Sequence, residues 1–443
     1  MPFQTLFHLD HLSIIMISLI TCIGVSILLF SSRYMHGDIK YNSFRIKIVL
    51  LLFSLILMVS TDNILLFLMA WFFSNGLLVT LIVHKSQWKA AYNSGLIAAK
   101  NFFFGFISLA IGFLILYRAS GEVSITKISA LALSNPQFYI ASIFILIAAM
   151  TQSAIWPFHR WLLSSLNAPT PVSAIMHAGL VNGGGFLLTR FASLWIHSPR
   201  LLNIIFILGI VTAFYGTLWK LLQPDIKKML ACSTVGQMGF MFVQCGLGLF
   251  SGAIAHLCWH GFFKAYLFLN SPSAHQEKKL PILQSANAIS ICFSALGALS
   301  GVLFFILTGG DDFSFYNSTI VIVSVVFIAS YQLSLTITER CSLKNIILMF
   351  LITMLLGSTY GLNFRFVENF LSPLKLFQPQ PLNIFYLVGI MILGGSWIYR
   401  VYQLYKPKRS PSNWYLKKYV SMINASQPDP STITTYRNDY QYK

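Results

Sequence analysis

The stretch HLCWHGFFKAYLFL sets His256, His260 and Lys264 four residues apart, so a helix carries all three on one face. Three polar side chains on one stripe of an apolar helix face protein rather than lipid. A buried imidazole exchanges a proton near neutrality, and desolvation brings a lysine amine toward the same range. The stripe therefore has the chemistry of a proton relay. A hydrogen-bonded stripe that only joins helices is the other reading.

A second group lies in QSAIWPFHRWLLSSLNAPTPVSAIMHAGLVNGGGFLLTR, from Gln152 to Arg190. Pro157, Pro169 and Pro171 each lack an N–H and clash with a preceding turn, so continuous helix is excluded and two helices meet at an irregular joint. In lipid, unpaired backbone is tolerated only against protein or a water-filled cavity. Because the joint carries His159, Arg160 and His177, it points to a buried polar path. In TLWKLLQPDIKKMLACS, Lys227 and Lys228 snorkel to the interface. Lys220, one turn before Pro224, either does the same or faces the bundle. Ser233, Gln237 and Gln244 recur at spacings of four and seven, giving another helix a polar face that either supports a water chain or joins helices.

These groups need long apolar helices to position them. The 443 residues are 56% hydrophobic and 9% charged, with a mean hydropathy of +0.70. That excludes a soluble domain, where about a quarter of residues are charged, and defines an all-α polytopic membrane bundle. At roughly 20 apolar residues per crossing, about thirteen spans fit: 12–30, 46–60, 63–84, 95–117, 138–155, 170–192, 201–221, 229–249, 251–270, 286–308, 316–335, 345–362 and 382–400. Residues 1–400 form the membrane domain, and 401–443 a basic amphipathic segment and flexible tail suited to a lipid surface. The apolar run after Leu12 is a retained first span rather than a signal peptide.

If the spans alternate, one side collects most of the Lys and Arg, including Lys278, Lys279, Arg340 and the tail, while the other holds the acidic pair Asp311 and Asp312. The positive-inside rule then puts the N-terminus outside and the tail in the cytoplasm. That distribution, rather than nucleic acid, accounts for the net charge of +18. The six cysteines, Cys341 among them, lie within or beside apolar segments with no metal-ligand spacing and read as small core residues. No phosphate loop, nucleophile elbow or carboxylate pair occurs in a span, so no cofactor and no catalysis are expected within this chain.

WPFHRWLLSSLNAPTPVSAIMHAGLVNGGGFLLTRF, KKMLACSTVGQMGFMFVQCGLG and HLCWHGFFKAYLFL resemble the antiporter-like proton-translocating subunits, a superfamily that includes the large membrane-arm subunits of respiratory complex I and the Mrp cation antiporters. The resemblance covers most of Leu12 to Leu269. RYMHGD, MAWFFSNGLL, KAAYNSGLIAAKNFF and QMGFMFVQCGLG are similar, within it, to the DabB family, the membrane half of the DabA–DabB inorganic-carbon system. What carries over is His177, Lys220 and the His256, His260 and Lys264 stripe as an ion path, with Gln152, His159, Ser233 and Gln237 in support. Two charged stations of the redox-linked relatives are replaced, by Phe72 after Trp71 and by Gln152 before Ser153. The resemblance implies a bacterial inner membrane and a DabA-like cytoplasmic partner resembling β-carbonic anhydrase. The zinc belongs to that partner, and a cation gradient, protons most simply, drives carbon dioxide hydration there. A complex I-like or Mrp-like antiporter subunit and a non-conducting membrane anchor are the alternatives.

Overall fold

The computed structural model describes residues 6–131, 136–271, 288–310, 313–314, 316–338, 342–405 and 413–433. Lys278, Lys279, Asp311, Asp312, Arg340, Cys341 and the tail segments 406–412 and 434–443 lie outside the described residues. Each predicted span falls on a helix. These are α1 (His11–Tyr34), α2 (Tyr41–Ser60), α3 (Ile64–Ile82), α4 (Lys89–Ser120), α5 (Pro136–Gln152), the two-part α6 (α6a, Thr170–Ala178; α6b, Gly183–Arg190), α7 (Pro199–Leu222), α8 (Ile226–Gly246), α9 (Phe250–Asn270), α10 (Ala288–Gly309), α11 (Thr319–Ile337), α12 (Leu343–Leu371) and α13 (Ile384–Tyr405). A further helix, α14 (Asn413–Ala425), follows.

Among the described residues nine helices are long and apolar enough to cross a membrane: α1 to α4, α6 taken whole, α7, and α10 to α12. α5 and α13 are apolar but supply shorter stretches. α8 and α9 have 21 residues each, yet their polar side chains dilute the hydropathy. α8 and α9, which depart from a plain lipid-spanning composition through polar content, both hold candidate residues.

The chain divides into two compact units, Met1–Cys245 with His256–Gln276 and Lys417–Lys443, and Gly246–Ala255 with Glu277–Leu416. Within the first, small residues let helix backbones meet. A Cβ on Gly216 of α7 would sit inside the Gly236 backbone of α8, and one on Gly209 would lie 2.6 Å from the Val243 nitrogen. We expect Gly216→Val to cost at least about 1–3 kcal/mol by overpacking, seen as a lowered melting temperature in detergent. Within the second unit α10, α11 and α12 pack together in the same way, with Gly301 and Gly357 at backbone contact. There the Tyr386 hydroxyl donates to the Gly246 carbonyl (2.9 Å) and Ser318 to Leu247 (2.7 Å).

Cys232 and Cys245 are buried as expected, but Cys22 and Cys292 face outward. A thiol is apolar enough to face lipid as readily as protein.

The expected joint between two helices is present, and a second interruption lies beyond it. α5 ends at Gln152, and an irregular run with Ala154 at φ 51° leads to the short helix Arg160–Ser164. Pro169 caps α6a and Pro171 lies in its first turn, where a missing N–H leaves no bond unmade. These two prolines therefore start a helix. A second break, inside the span, comes at Gly179 and the 3-10 turn Leu180–Asn182, so His177 lies between the proline joint and this break.

Candidate functional site

Breaking α6 frees carbonyls in a buried region, and each left unpaired would cost about 1–3 kcal/mol. The side chains that follow the end of α5 meet that demand. Gln152 Nε2 donates to the Leu180 carbonyl (3.2 Å) and Ser153 Oγ to Val181 (2.6 Å). Asn182 Nδ2 donates back to Ala178 (2.7 Å). Gln152 also donates to Asn75 Oδ1 on α3 (3.1 Å). Gly183 and Gly184 admit the approach, because a Cβ on either would press on Gln152 or Ser153. Gln152 thus holds the break together. Beside it lies a cavity of about 40 Å³ lined by Trp71, Ser74, Gln152, Gly179, Asn182 and apolar residues of α1 and α2, room for a water or two. Asn182 Oδ1 and Asn75 Nδ2 are buried and have no protein partner.

His177, on the last turn of α6a, is fully buried and stacks on Phe268 of α9 with ring centroids 4.2 Å apart. Its Nδ1 lies 3.1 Å from Thr234 Oγ1 on α8. Thr234 in turn donates its hydrogen to the Leu230 carbonyl (3.0 Å), and Lys264 Nζ of α9 donates to the same oxygen (3.0 Å). Since the threonine hydroxyl has one hydrogen and commits it to Leu230, the network assigns the imidazole hydrogen to Nδ1. Nε2 is then a lone-pair acceptor, and it is buried with no protein partner. Lys264 is 1% exposed. Three helices thus bring one imidazole and one amine to a shared hydroxyl–carbonyl node.

Along α9, His260 is buried with neither ring nitrogen bonded. The half-buried His256 follows at 6.1 Å between ring centroids, with Phe240 of α8 against it. The stripe read from spacing therefore points inward, and its outer face carries Trp259, Phe262, Phe263 and Tyr266.

The other candidates are placed differently. Lys220 is exposed at the end of α7. Snorkelling is thus the reading its position favours. Gln237 is exposed and Ser233 half-buried. The inward face of α8 is offset from that pair by a residue and presents Thr234, which the spacing argument passed over. Asn75 was also missed; its signal was an amide inside the apolar run of α3. His159 is buried outside the spans, with its ring 4.6 Å from Trp219. Burial, helped by the Arg160 charge, pushes it down to about 4, so it is neutral at physiological pH. Arg160 itself is exposed.

Basic and imidazole groups are thus enclosed by long helices, one of them interrupted, in a chain whose family match is to antiporter-like membrane subunits. The model of the family described as "NADH:quinone oxidoreductase/Mrp antiporter, TM" matches residues 60–341, and that of "NADH-Ubiquinone oxidoreductase (complex I), chain 5 N-terminus" matches residues 1–45. Within this class the chain belongs to the DabB family of inorganic carbon transporter subunits. It is 31% identical over 401 residues to the probable inorganic carbon transporter subunit DabB1 of Halothiobacillus neapolitanus, covering 84% of this chain and 72% of that one. It is 34% identical over 320 residues to the DabB subunit of Bacillus subtilis, covering 71% and 63%. NADH-quinone oxidoreductase subunit L of Escherichia coli is 33% identical over 318 residues, covering 68% and 51%. The chain is therefore shorter than each of these relatives. Among solved structures, the Mrp complex from Dietzia sp. matches in fold, with a TM-score of 0.56 at 20% identity over 94% of this chain and 48% of that one.

Proposed function

We propose that this chain is the cation-conducting membrane subunit, protons being the cation, of a two-component inorganic-carbon accumulation complex. The observation that carries the reading is the network His177–Thr234–Leu230 carbonyl–Lys264, in which two proton-exchanging groups share a buried node between three helices. Naming of the relatives as inorganic carbon transporter subunits supports the substrate class. The chain makes and breaks no covalent bond of the carbon substrate. A DabA-like, carbonic-anhydrase-like partner on the cytoplasmic side supplies zinc and hydration chemistry, and cation movement through this chain drives that reaction in one direction. The membrane is a bacterial inner membrane, with the N-terminus outside and the tail in the cytoplasm, as the asymmetry of Lys and Arg favours.

Purification from the native membrane in mild detergent, followed by identification and metal analysis of whatever stays bound, tests the assignment. We expect a large zinc-containing partner. Recovery of quinone-reductase or multi-subunit antiporter components instead would overturn it in favour of a redox-linked or Mrp-type subunit, the reading that similarity to subunit L supports.

A further inference from the structure

α14 is followed by a segment that returns to the bundle. Residues 426–432 cross the end of the first unit at which α4, α6 and α8 begin. Gln223 Nε2, between α7 and α8, donates to Ser426 Oγ (2.6 Å), and Lys228 Nζ donates to Gln427 Oε1 (3.1 Å). The Asp429 N–H donates to Ser164 Oγ in the joint (3.0 Å). Asn93 Nδ2 of α4 donates to the Ser431 carbonyl (2.8 Å), and Asn167 Nδ2 of the joint donates to the Thr432 carbonyl (2.7 Å). Ser426 and Thr432 are buried at 1% and 3% exposure, so the segment is seated, not draped.

Its shape is set locally. Asp429 accepts from the Ser431 N–H (3.0 Å) and Ser431 Oγ (2.7 Å), and Pro430 starts the 3-10 turn that packs on α4. Two of the five anchoring bonds grip backbone carbonyls through amide side chains. The seat therefore recognises a turn in the main chain. Beneath it the Ala425 backbone faces His159, and Ser165 of the joint is fully buried.

We propose that residues 426–432 are a strap that closes this end of the bundle and governs access to the conducting network. The strap ties together three separate parts: α4, the joint that leads into α6a and His177, and the α7–α8 junction that leads into Leu230 and Thr234. While it is seated, the joint and α8 are held in register and the route past His159 is shut. When it lifts, the joint is free to move away from α8 and water enters. The anchoring bonds join uncharged groups except at Lys228, and each is of modest net strength, so release lies within reach of a partner that binds the tail. The gating role rests on the conduction reading; the seating of the strap does not.

The test uses the full chain with Ser165→Cys as a reporter, labelled by a charged, membrane-impermeant thiol reagent, with the chain lacking that substitution as the blank. Asn93→Ala with Asn167→Ala removes both main-chain grips, and neither residue touches the network. We expect reporter labelling to rise about tenfold or more, as local opening of a weakly held segment allows, with proton flux in liposomes rising in parallel. In a second variant, Asn93→Cys with Ser431→Cys, oxidative cross-linking returns both readouts to the closed level, and reduction reverses the effect. Equal labelling in seated, released and cross-linked chains, each eluting as a single folded species, would overturn the strap. Labelling that changes while a measurable proton flux stays constant overturns its gating role. Proton flux absent from every form, with labelling still responsive, sinks the conduction reading and leaves the seated strap.

Discussion

Replacing Lys264 with methionine is expected to lower proton flux by about a hundredfold, the lower end of what a positioned proton-transfer group supplies. Methionine keeps most of the buried stem and removes the donor to the Leu230 carbonyl, so packing on α9 is retained while the node loses its amine. The measurement is dye-reported proton entry into liposomes that hold the chain with its partner, at matched protein content. Complex-dependent carbon uptake in cells should fall in step. Unchanged flux and uptake in Lys264→Met and in His260→Ala would remove the conducting role from these residues and favour a subunit that only anchors its partner. Phe72, half exposed on α3, and the neutral amide Gln152 at the break already fit that reading.

Arg190→Ala is expected to be the most destabilising single change. Arg190 ends α6b and Asp10 caps α1; their side chains are 10% and 9% exposed and pair at 2.5 Å. The guanidinium also donates to Ser13 Oγ (2.8 Å) and the Val59 carbonyl (2.9 Å), so one side chain holds α1, α2 and α6 together. Truncating one partner of such a pair costs about 3–5 kcal/mol, because a buried charge is left behind. Burial alone would raise the Asp10 carboxyl, but the Arg190 charge and hydrogen bonds from Ser13 and Arg190 together hold it below the ordinary 3.8. Its folded value is therefore depressed. The stability it contributes is fully present above 3.8 and is lost as pH falls through the lower folded value. Thermal unfolding in detergent should show a large loss for Arg190→Ala at neutral pH and, in the parent chain, a further loss only in that acid window. A melting temperature unchanged by the substitution would show that the pair does not join these helices.

Sequence periodicity located the helices well because lipid imposes length and apolarity on any crossing, and both are written residue by residue. The stripe on α9 was legible for a related reason: three polar residues at intervals of four in an apolar run have one energetically acceptable direction. α8 was misread because its polar residues occur on two faces. Ser233 and Gln237 share a spacing, yet Thr234 is the residue that turns inward, and which face wins depends on where Gly216 and Gly236 let α7 approach. The prolines marked the joint between α5 and α6a, whereas the second interruption carries no proline and so left no such mark. That second interruption rests on Gly179 and on Gln152 and Ser153 at the end of α5, which take up its freed carbonyls, a pairing across 28 positions. Residues 426–432 were read only as a tail segment, since main-chain carbonyls gripped by Asn93 and Asn167 leave no trace in residue type.

The single hydroxyl hydrogen of Thr234 also gives the proposed conduction a memory. In the arrangement seen here it points to the Leu230 carbonyl while His177 keeps its hydrogen on Nδ1. A proton arriving at Nε2 leaves by moving the Nδ1 hydrogen onto Thr234 while the hydroxyl's own hydrogen passes to the amine of Lys264, in its neutral form, at the same carbonyl, and the imidazole is left as the opposite tautomer. No second proton can follow until ring and hydroxyl have both rotated back. Turnover would then be limited by that resetting rotation, which the stacked Phe268 ring resists.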